Sequence, residues 1–262
     1  MSLTPPSIIS EVGVSRLNIK HLKAITTLSV MAITHVIYDL DGILLDTEPL
    51  HAKVNQAIAN RYGKTIDRTL QYQLCGRKSK DSAALIVETL QLPLTAEAFL
   101  QEKDAIIYQY YPQVPPLPGI VRLTHHLANH NIPQAVATSS ATRPFTAKTQ
   151  PHQAWFSLFR CIVRGDDPEL TRGKPAPDIF LITAKRLGAK PENCLVFEDS
   201  LAGVMAARQA GMCVVAIPPP EMDYSAYQQA NQVLTSLEDF NPEYWHLPAF
   251  KPHNHPVSPA KV

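Results

Sequence analysis

At 262 residues, with 45% hydrophobic and 18% charged residues, the chain can bury a sizeable core and does not have the composition of a disordered polypeptide. The net charge of +1 leaves no electrostatic footprint for nucleic acid or an anionic membrane, and no apolar run approaches the roughly 18 residues that a membrane span requires. Four widely spaced cysteines (Cys75, Cys161, Cys194, Cys213), with no Cys-x-x-Cys pair, suit reduced thiols and a cytoplasmic setting.

The first thirty residues contain one acid, Glu11, beside Arg16, Lys20, Lys23 and several hydroxyl residues. They resemble a weak organelle transit peptide, or form an extension ahead of a true start at Met31. Under either account residues 1–31 are expected to lie outside the fold, and an organelle is the alternative location.

His35-Val36-Ile37-Tyr38 is short, apolar and partly β-branched, and Gly42 interrupts it, which predicts a buried strand entering a turn. Asp39 and Asp41 come next, two residues apart, so they lean to the same face. Two carboxylates crowded at an apolar strand end stay ionised only if a cation or hydrogen-bond donors compensate; otherwise one takes a proton. A strand cap in a turn uses the same residue types, so the pair acquires meaning only from the motifs further along the chain.

Residues 50–62, 80–90 and 95–111 have helical character, with Thr95 as a candidate N-cap, Lys103 and Asp104 inside the third, and no strand between them. The proline-rich run 111–119 closes this stretch. Residues 49–115 are therefore expected to form a helical cap over the strand ends. Cys75-Gly76-Arg77-Lys78 reads as a polar loop between cap helices, whose cations either reach a second polar part of a substrate or stay in solvent. Glu48 and His51, where the chain enters the cap, touch substrate or hydrogen-bond the hinge.

The alternation of strand and helix resumes after the cap. Residues 133–138 form a strand that runs into Thr138-Ser139-Ser140, where a hydroxyl and free amides suit phosphate oxygens or simply cap a helix. A weak strand at 161–163 precedes Arg172-Gly173-Lys174-Pro175-Ala176-Pro177-Asp178, where two prolines stiffen the loop that carries Lys174. A helix over 177–187 ends at Gly188. The strand 194–197 closes on Glu198-Asp199, and hard oxygen ligands of this kind suit Mg2+. Ser200 then caps an alanine-rich helix over 201–210, stopped by Gly211, and 213–217 reads as a last strand. Phe240, Tyr244, Trp245 and Phe250 are expected to pin the tail, with 251–262 flexible. Together these elements predict an α/β fold, a doubly wound parallel sheet with a Rossmann-like core (residues 32–48 and 116–250) and an inserted α-helical cap.

Asp39-x-Asp41-Gly42, Thr138, Lys174-Pro175 and Glu198-Asp199, in this order, resemble the four motifs of the haloacid dehalogenase-like phosphohydrolases, in the phosphoglucomutase-like branch with a helical cap. The resemblance covers about residues 32–250. Gly165-Asp166-Asp167-Pro168-Glu169, Gly173-Lys174-Pro175-x-Pro177-Asp178-Ile179-Phe180 and Asn241-Pro242-Glu243-x-x-x-Leu247-Pro248 are similar to the pseudouridine-5′-phosphatase group, which includes relatives acting on glycerol phosphate.

The resemblance implies a Mg2+-dependent phosphomonoesterase that works through an aspartyl phosphate. It implies Asp39 as nucleophile, Asp41 as acid and base with a raised pKa, and Thr138, the Ser139 amide and Lys174 on the phosphate. Asp39, Asp41 through its backbone carbonyl, Asp199 and Glu198 would hold the metal, and Arg77, Lys78 and His51 are candidate cap contacts. The implied partner is a small phosphate ester, bound by a monomer. The alternative within the family is a β-phosphoglucomutase-type transferase.

Overall fold

The computed structural model describes residues 32–74 and 79–251. The extension 1–31, the loop residues Cys75, Gly76, Arg77 and Lys78, and the tail 252–262 lie outside the described residues. Six strands, β1 (His35–Tyr38), β2 (Gln134–Ala137), β3 (Cys161–Val163), β4 (Cys194–Glu198), β5 (Cys213–Ala216) and β6 (Gln232–Val233), form one sheet in the order β3-β2-β1-β4-β5-β6. Every pairing is parallel, and Tyr38 at the end of β1 lies between Val136 of β2 and Phe197 of β4. The direction of winding reverses between β1 and β4, which makes the carboxyl ends of these two strands the switch point where ligands bind in sheets of this class.

Four α-helices, α1 (Glu48–Arg61), α2 (Arg68–Leu74), α3 (Ser79–Leu90) and α4 (Ala96–Ile107), follow β1 and form the insert. The remaining helices are α5 (Ile120–Asn129), α6 (Thr142–Thr149), α7 (Gln153–Phe156), α8 (Asp178–Leu187) and α9 (Leu201–Gln209). Alternation along β1 explains the layering. Val36 and Tyr38 join a core shared with Leu123 and Leu127 of α5 and Trp155 of α7, whereas Ile37 faces Phe180 of α8 and Val204 of α9. A strand with helices on both faces has no solvent side, so its central residues are uniformly apolar rather than alternating.

Local chemistry sets several boundaries. The Thr95 hydroxyl accepts from the Ala98 amide at 3.1 Å and starts α4, and Ser200 does the same for α9 from Gly203 at 3.0 Å. Gly188 ends α8 in the left-handed region, at φ 70°. Pro177 sits at the N-cap of α8 rather than inside its first turn. The sequence patterns missed α2, α5 and α6. In α6 the buried stripe is Phe145, Lys148 and Thr149, so only one of its three members is apolar and the periodicity is hidden. Phe240 and Trp245 are buried as expected and Phe250 stacks under Arg122, but Tyr244 points outward with 66% of its surface exposed and does not pin the tail. Cys161, Cys194 and Cys213 are free thiols.

Candidate active site

The site is assembled from the carboxyl ends of β1, β2 and β4 and from two loops that return to them. Asp39 leaves β1 with its amide bonded to the Phe197 carbonyl of β4 at 3.0 Å, which places it beside Glu198 and Asp199. Gly42, at φ 79°, turns the chain tightly against Asp199, and a Cβ there would overlap the Asp199 carboxylate. On the far side of β4, Gly203 of α9 meets the Glu198 carboxylate so closely that a Cβ would overlap it as well. Both glycines thus let backbone approach a carboxylate where no side chain would fit.

Lys174 is buried and its Nζ donates to Asp39 Oδ1 at 2.7 Å, Glu198 Oε1 at 2.5 Å and the Ala137 carbonyl at 3.2 Å. The second oxygen of Glu198 accepts from the amides of Asp199 (3.1 Å) and Ser200 (3.2 Å) and from the Ser200 hydroxyl (3.0 Å). Glu198 is therefore fully engaged in holding Lys174 and the β4–α9 turn. Asp199 is anchored from behind by Tyr227, whose hydroxyl donates to the Asp199 carbonyl at 2.8 Å.

One oxygen from each of Asp39, Glu198 and Asp199 lies within 4.8 Å of the others. Burial and mutual repulsion push Asp39 up to about 7 despite the Lys174 ammonium, and raise Asp199 well above the usual carboxylate range. For Lys174, the Asp39 and Glu198 carboxylates outweigh burial and hold the ammonium above its ordinary value. Three buried carboxylates share one ammonium, so the cluster carries excess negative charge. A hard divalent cation fits that excess and the all-oxygen donor set.

Asp41 is held elsewhere. Both of its oxygens accept from Lys148 Nζ of α6, at 2.6 and 2.7 Å, and Oδ2 also accepts from the Ser140 hydroxyl at 2.8 Å. Burial by itself would raise Asp41, but the Lys148 charge, nearby His51 and the hydrogen bonds from Lys148 and Ser140 lower it to about 2. The upward shift expected at Asp41 thus falls on Asp39 and Asp199, because a second lysine neutralises Asp41 alone. Thr138, wholly buried at the end of β2, donates its amide to Val163 and accepts from the Ser140 amide at 3.0 Å, which shapes the 138–140 turn. Gly165 packs against the Ser139 carbonyl, where a Cβ would not fit.

The loop Gly165-Asp166-Asp167-Pro168-Glu169 supports this turn from outside. Asp166 accepts from the Thr142 amide (2.8 Å) and hydroxyl (3.0 Å) at the start of α6, and Asp167 and Glu169 pair with Arg186. Its acids are structural, tying α6 and α8 together behind the site.

The helical insert adds a third group of polar residues. Burial and the neighbouring Lys103 and Lys148 ammoniums lower His51 to about 3, so its ring is neutral, and the ring meets Tyr111 edge-on at 6.2 Å. Burial lowers Lys103 to about 8 despite nearby Glu48, whose own carboxyl is raised by burial and by Asp41. The structure therefore brings Asp39, Asp41, Thr138, Lys174, Glu198, Asp199 and His51 toward one region. Arg77 and Lys78 lie outside the described residues. Sequence reasoning missed Lys148, Ser140, Lys103 and Tyr111. The available signal was a lysine at apolar helical spacing: Phe99, Lys103 and Ile107 line the buried face of α4 just as Phe145 and Lys148 do in α6.

A Rossmann-like sheet with an acidic cluster at its switch point and a helical insert above β1 defines the class. The haloacid dehalogenase-like hydrolase family model matches residues 36–217, and the chain belongs to that family. The (DL)-glycerol-3-phosphatase 2 of Arabidopsis thaliana is 45% identical over 228 residues, 85% of this chain and 95% of its own length. A probable pseudouridine-5′-phosphatase of Drosophila melanogaster is 42% identical over 221 residues, 83% of this chain and 96% of its own. Among solved structures, the β-phosphoglucomutase of Clostridium difficile superposes with a TM-score of 0.66 at 26% identity, covering 82% of this chain and 96% of its own. Within its family the chain is a phosphoric monoester hydrolase.

Proposed function

We propose that the chain hydrolyses the phosphate ester of a small hydroxylated metabolite, of the glycerol phosphate or pseudouridine 5′-phosphate kind, with Asp39 as nucleophile. The observation that carries this reading is the separate holding of two carboxylates only two residues apart, Asp39 by Lys174 and Asp41 by Lys148. This separation supports one acid acting at phosphorus and the other at the ester oxygen.

In the first step Asp39 Oδ forms a bond to phosphorus while the bond to the ester oxygen breaks, and that oxygen takes a proton from Asp41. In the second a water oxygen bonds to phosphorus, the Asp39–phosphorus bond breaks, and Asp41 takes the proton of the water. In the ester-free protein Asp41 is ionised. An arriving phosphate dianion adds negative charge beside Asp41 and so favours its protonation before the first step. Lys174, Thr138 and the Ser139 amide bind the phosphate oxygens.

Asp39, Asp199 and the Asp41 carbonyl would hold Mg2+, with Glu198 positioning Lys174 and reaching the metal through water. When bound, Mg2+ supplies positive charge that offsets repulsion between the Asp39 carboxylate and the phosphate. The helices α1 to α4 act as a cap, and His51 and Lys103 on its inner side face the leaving group.

The test is phosphate release, with Mg2+, from glycerol 3-phosphate, pseudouridine 5′-phosphate, other nucleoside monophosphates, FMN and hexose phosphates. Release that Asp39→Asn lowers by at least ~1,000-fold is the expected outcome, since the covalent step has no substitute nucleophile. A β-phosphoglucomutase-type transferase shares this catalytic set. Turnover of β-glucose 1-phosphate only with a sugar bisphosphate primer, and no hydrolysis of any ester, would replace the phosphatase reading with that one.

A further inference from the structure

Like Lys174, Lys148 has its ammonium spent entirely within the protein, but on Asp41 and not on the acidic cluster. Its side chain is 3% exposed, and Nζ donates to Asp41 Oδ1 at 2.6 Å, Asp41 Oδ2 at 2.7 Å and the Ser140 hydroxyl at 2.8 Å. The Ser140 hydroxyl in turn donates to Asp41 Oδ2 at 2.8 Å, closing a triangle of hydrogen bonds around one carboxylate. The Tyr111 ring covers the ammonium, with its centroid 5.2 Å away. Tyr111 also meets His51, so the triangle sits where the phosphate turn, α6 and the entry to the helical insert converge.

A carboxylate that serves an ester oxygen has to keep one direction through the reaction, and an aspartate is free to rotate about two bonds. Asp41 lies two residues from Asp39 and beside a cluster that attracts a cation. Left unrestrained, its side chain would be drawn to that cation as one more oxygen ligand and lost to proton transfer. Two charge-assisted bonds from Lys148, reaching both carboxylate oxygens, oppose that rotation.

We infer that Lys148 is a positioning residue for Asp41, holding its carboxylate toward the leaving-group oxygen and away from the Asp39–Glu198–Asp199 cluster. The inference rests on the phosphomonoesterase reading and goes beyond it, because it assigns a role to a helix α6 lysine outside the four motifs. Lys148 neither bonds to phosphorus nor transfers a proton in this scheme.

The experiment compares kcat/KM of the native protein, Lys148→Met and Lys148→Arg on two kinds of ester. The first is whichever alkyl phosphate, such as glycerol 3-phosphate, the native protein turns over best; its alkoxide needs a proton. The second is p-nitrophenyl phosphate, whose phenolate leaves without one. Because kcat/KM covers only the steps up to transfer onto Asp39, the second half-reaction does not enter. Lys148→Met is expected to lower kcat/KM about 100-fold on the alkyl ester and less than about 5-fold on the aryl ester, the loss on the alkyl ester lying in kcat with KM nearly unchanged. Lys148→Arg, which can still reach both oxygens, is expected to restore at least about a tenth of the native value on the alkyl ester.

Equal losses on the two esters, no loss on either, or a loss confined to KM would overturn the inference. Where Lys148→Met does not fold, Ser140→Ala removes the other donor to Asp41, and the same difference between esters, smaller in size, is expected. A native protein inactive on every ester would instead remove the phosphatase reading and leave the fold of the site untouched.

Discussion

Two glycines show how tightly the carboxylates of this site are enclosed. Gly203 lies in the first turn of α9, where alanine has the better intrinsic helix propensity by about 1 kcal/mol. Here the added methyl would overlap the Glu198 carboxylate, which is wholly buried and bonded to Lys174. Gly203→Ala is therefore expected to destabilise the protein by roughly 1–3 kcal/mol, the usual cost of overpacking, and to lower kcat by displacing Lys174. Thermal melting and phosphate release read the two effects, and a more stable, fully active variant would contradict the close approach. Lys103 raises the opposite case. Burial already pulls its ammonium down to about 8, so Lys103→Met should raise the melting temperature, while KM for polyol phosphates increases because a polar contact to the leaving group is lost.

At the scale of elements, α6, which carries Lys148, breaks the rule by which helices are found, whereas α4 was legible from its Thr95 cap although Lys103 lies in its buried stripe. A helix is recognised by apolar residues at i, i+3 and i+4, yet α6 presents Phe145, Lys148 and Thr149 to the interior. Charge inside the stripe makes α6 weak as a pattern and informative as chemistry, since a buried lysine needs a buried anion. Of the helices that were legible, α8 and α9 pack on one face of the sheet and have no site residue in their buried stripes. β1, β2 and β4 were legible for a related reason: each is buried on both faces and ends where the polar residues begin. The buried network around Gln134, which accepts from the Tyr38 hydroxyl and donates to the Thr124 carbonyl, gave no pattern to read. Trp155→Phe tests its importance: losing the indole bond to Thr124 Oγ1 at 2.8 Å should cost about 1–2 kcal/mol in denaturant unfolding without changing the metal response.

For the molecule as a whole, the acidic cluster ties stability to pH and to metal. Asp39 is raised in the folded state to about 7 from an ordinary value of 3.8, and Asp199 is raised as well. Between those values the folded form binds more protons than the unfolded one, so stability falls as pH rises from about 4 to about 7. Asp41 has the opposite sign, but its loss of stability is confined to pH below about 4, as it protonates toward its folded value of about 2. Under the proposed function a divalent cation would bind the ionised cluster and remove the penalty. Saturating Mg2+ should thus raise the melting temperature more at pH 7.5 than at pH 5, and Asp199→Asn should shrink the difference. An equal shift at both pH values would show that the cluster does not bind the cation through its ionised carboxylates.

The order of the motifs along the chain pointed to the family and to the strand ends at which Asp39, Asp41, Thr138, Lys174, Glu198 and Asp199 gather. These residues sit next to strong local signals, a β-branched run or a glycine or proline turn, and local signals survive in one dimension. Which lysine serves which carboxylate was decided only in three dimensions. Asp39 and Lys174 are 135 residues apart and Asp41 and Lys148 are 107 apart, and no local rule joins such partners. The sheet order, by setting β1 between β2 and β4, brings the loop that carries Lys174 and the helix α6 that carries Lys148 to the same strand end. Burial there strengthens each pairing, so two aspartates two residues apart are held by different lysines.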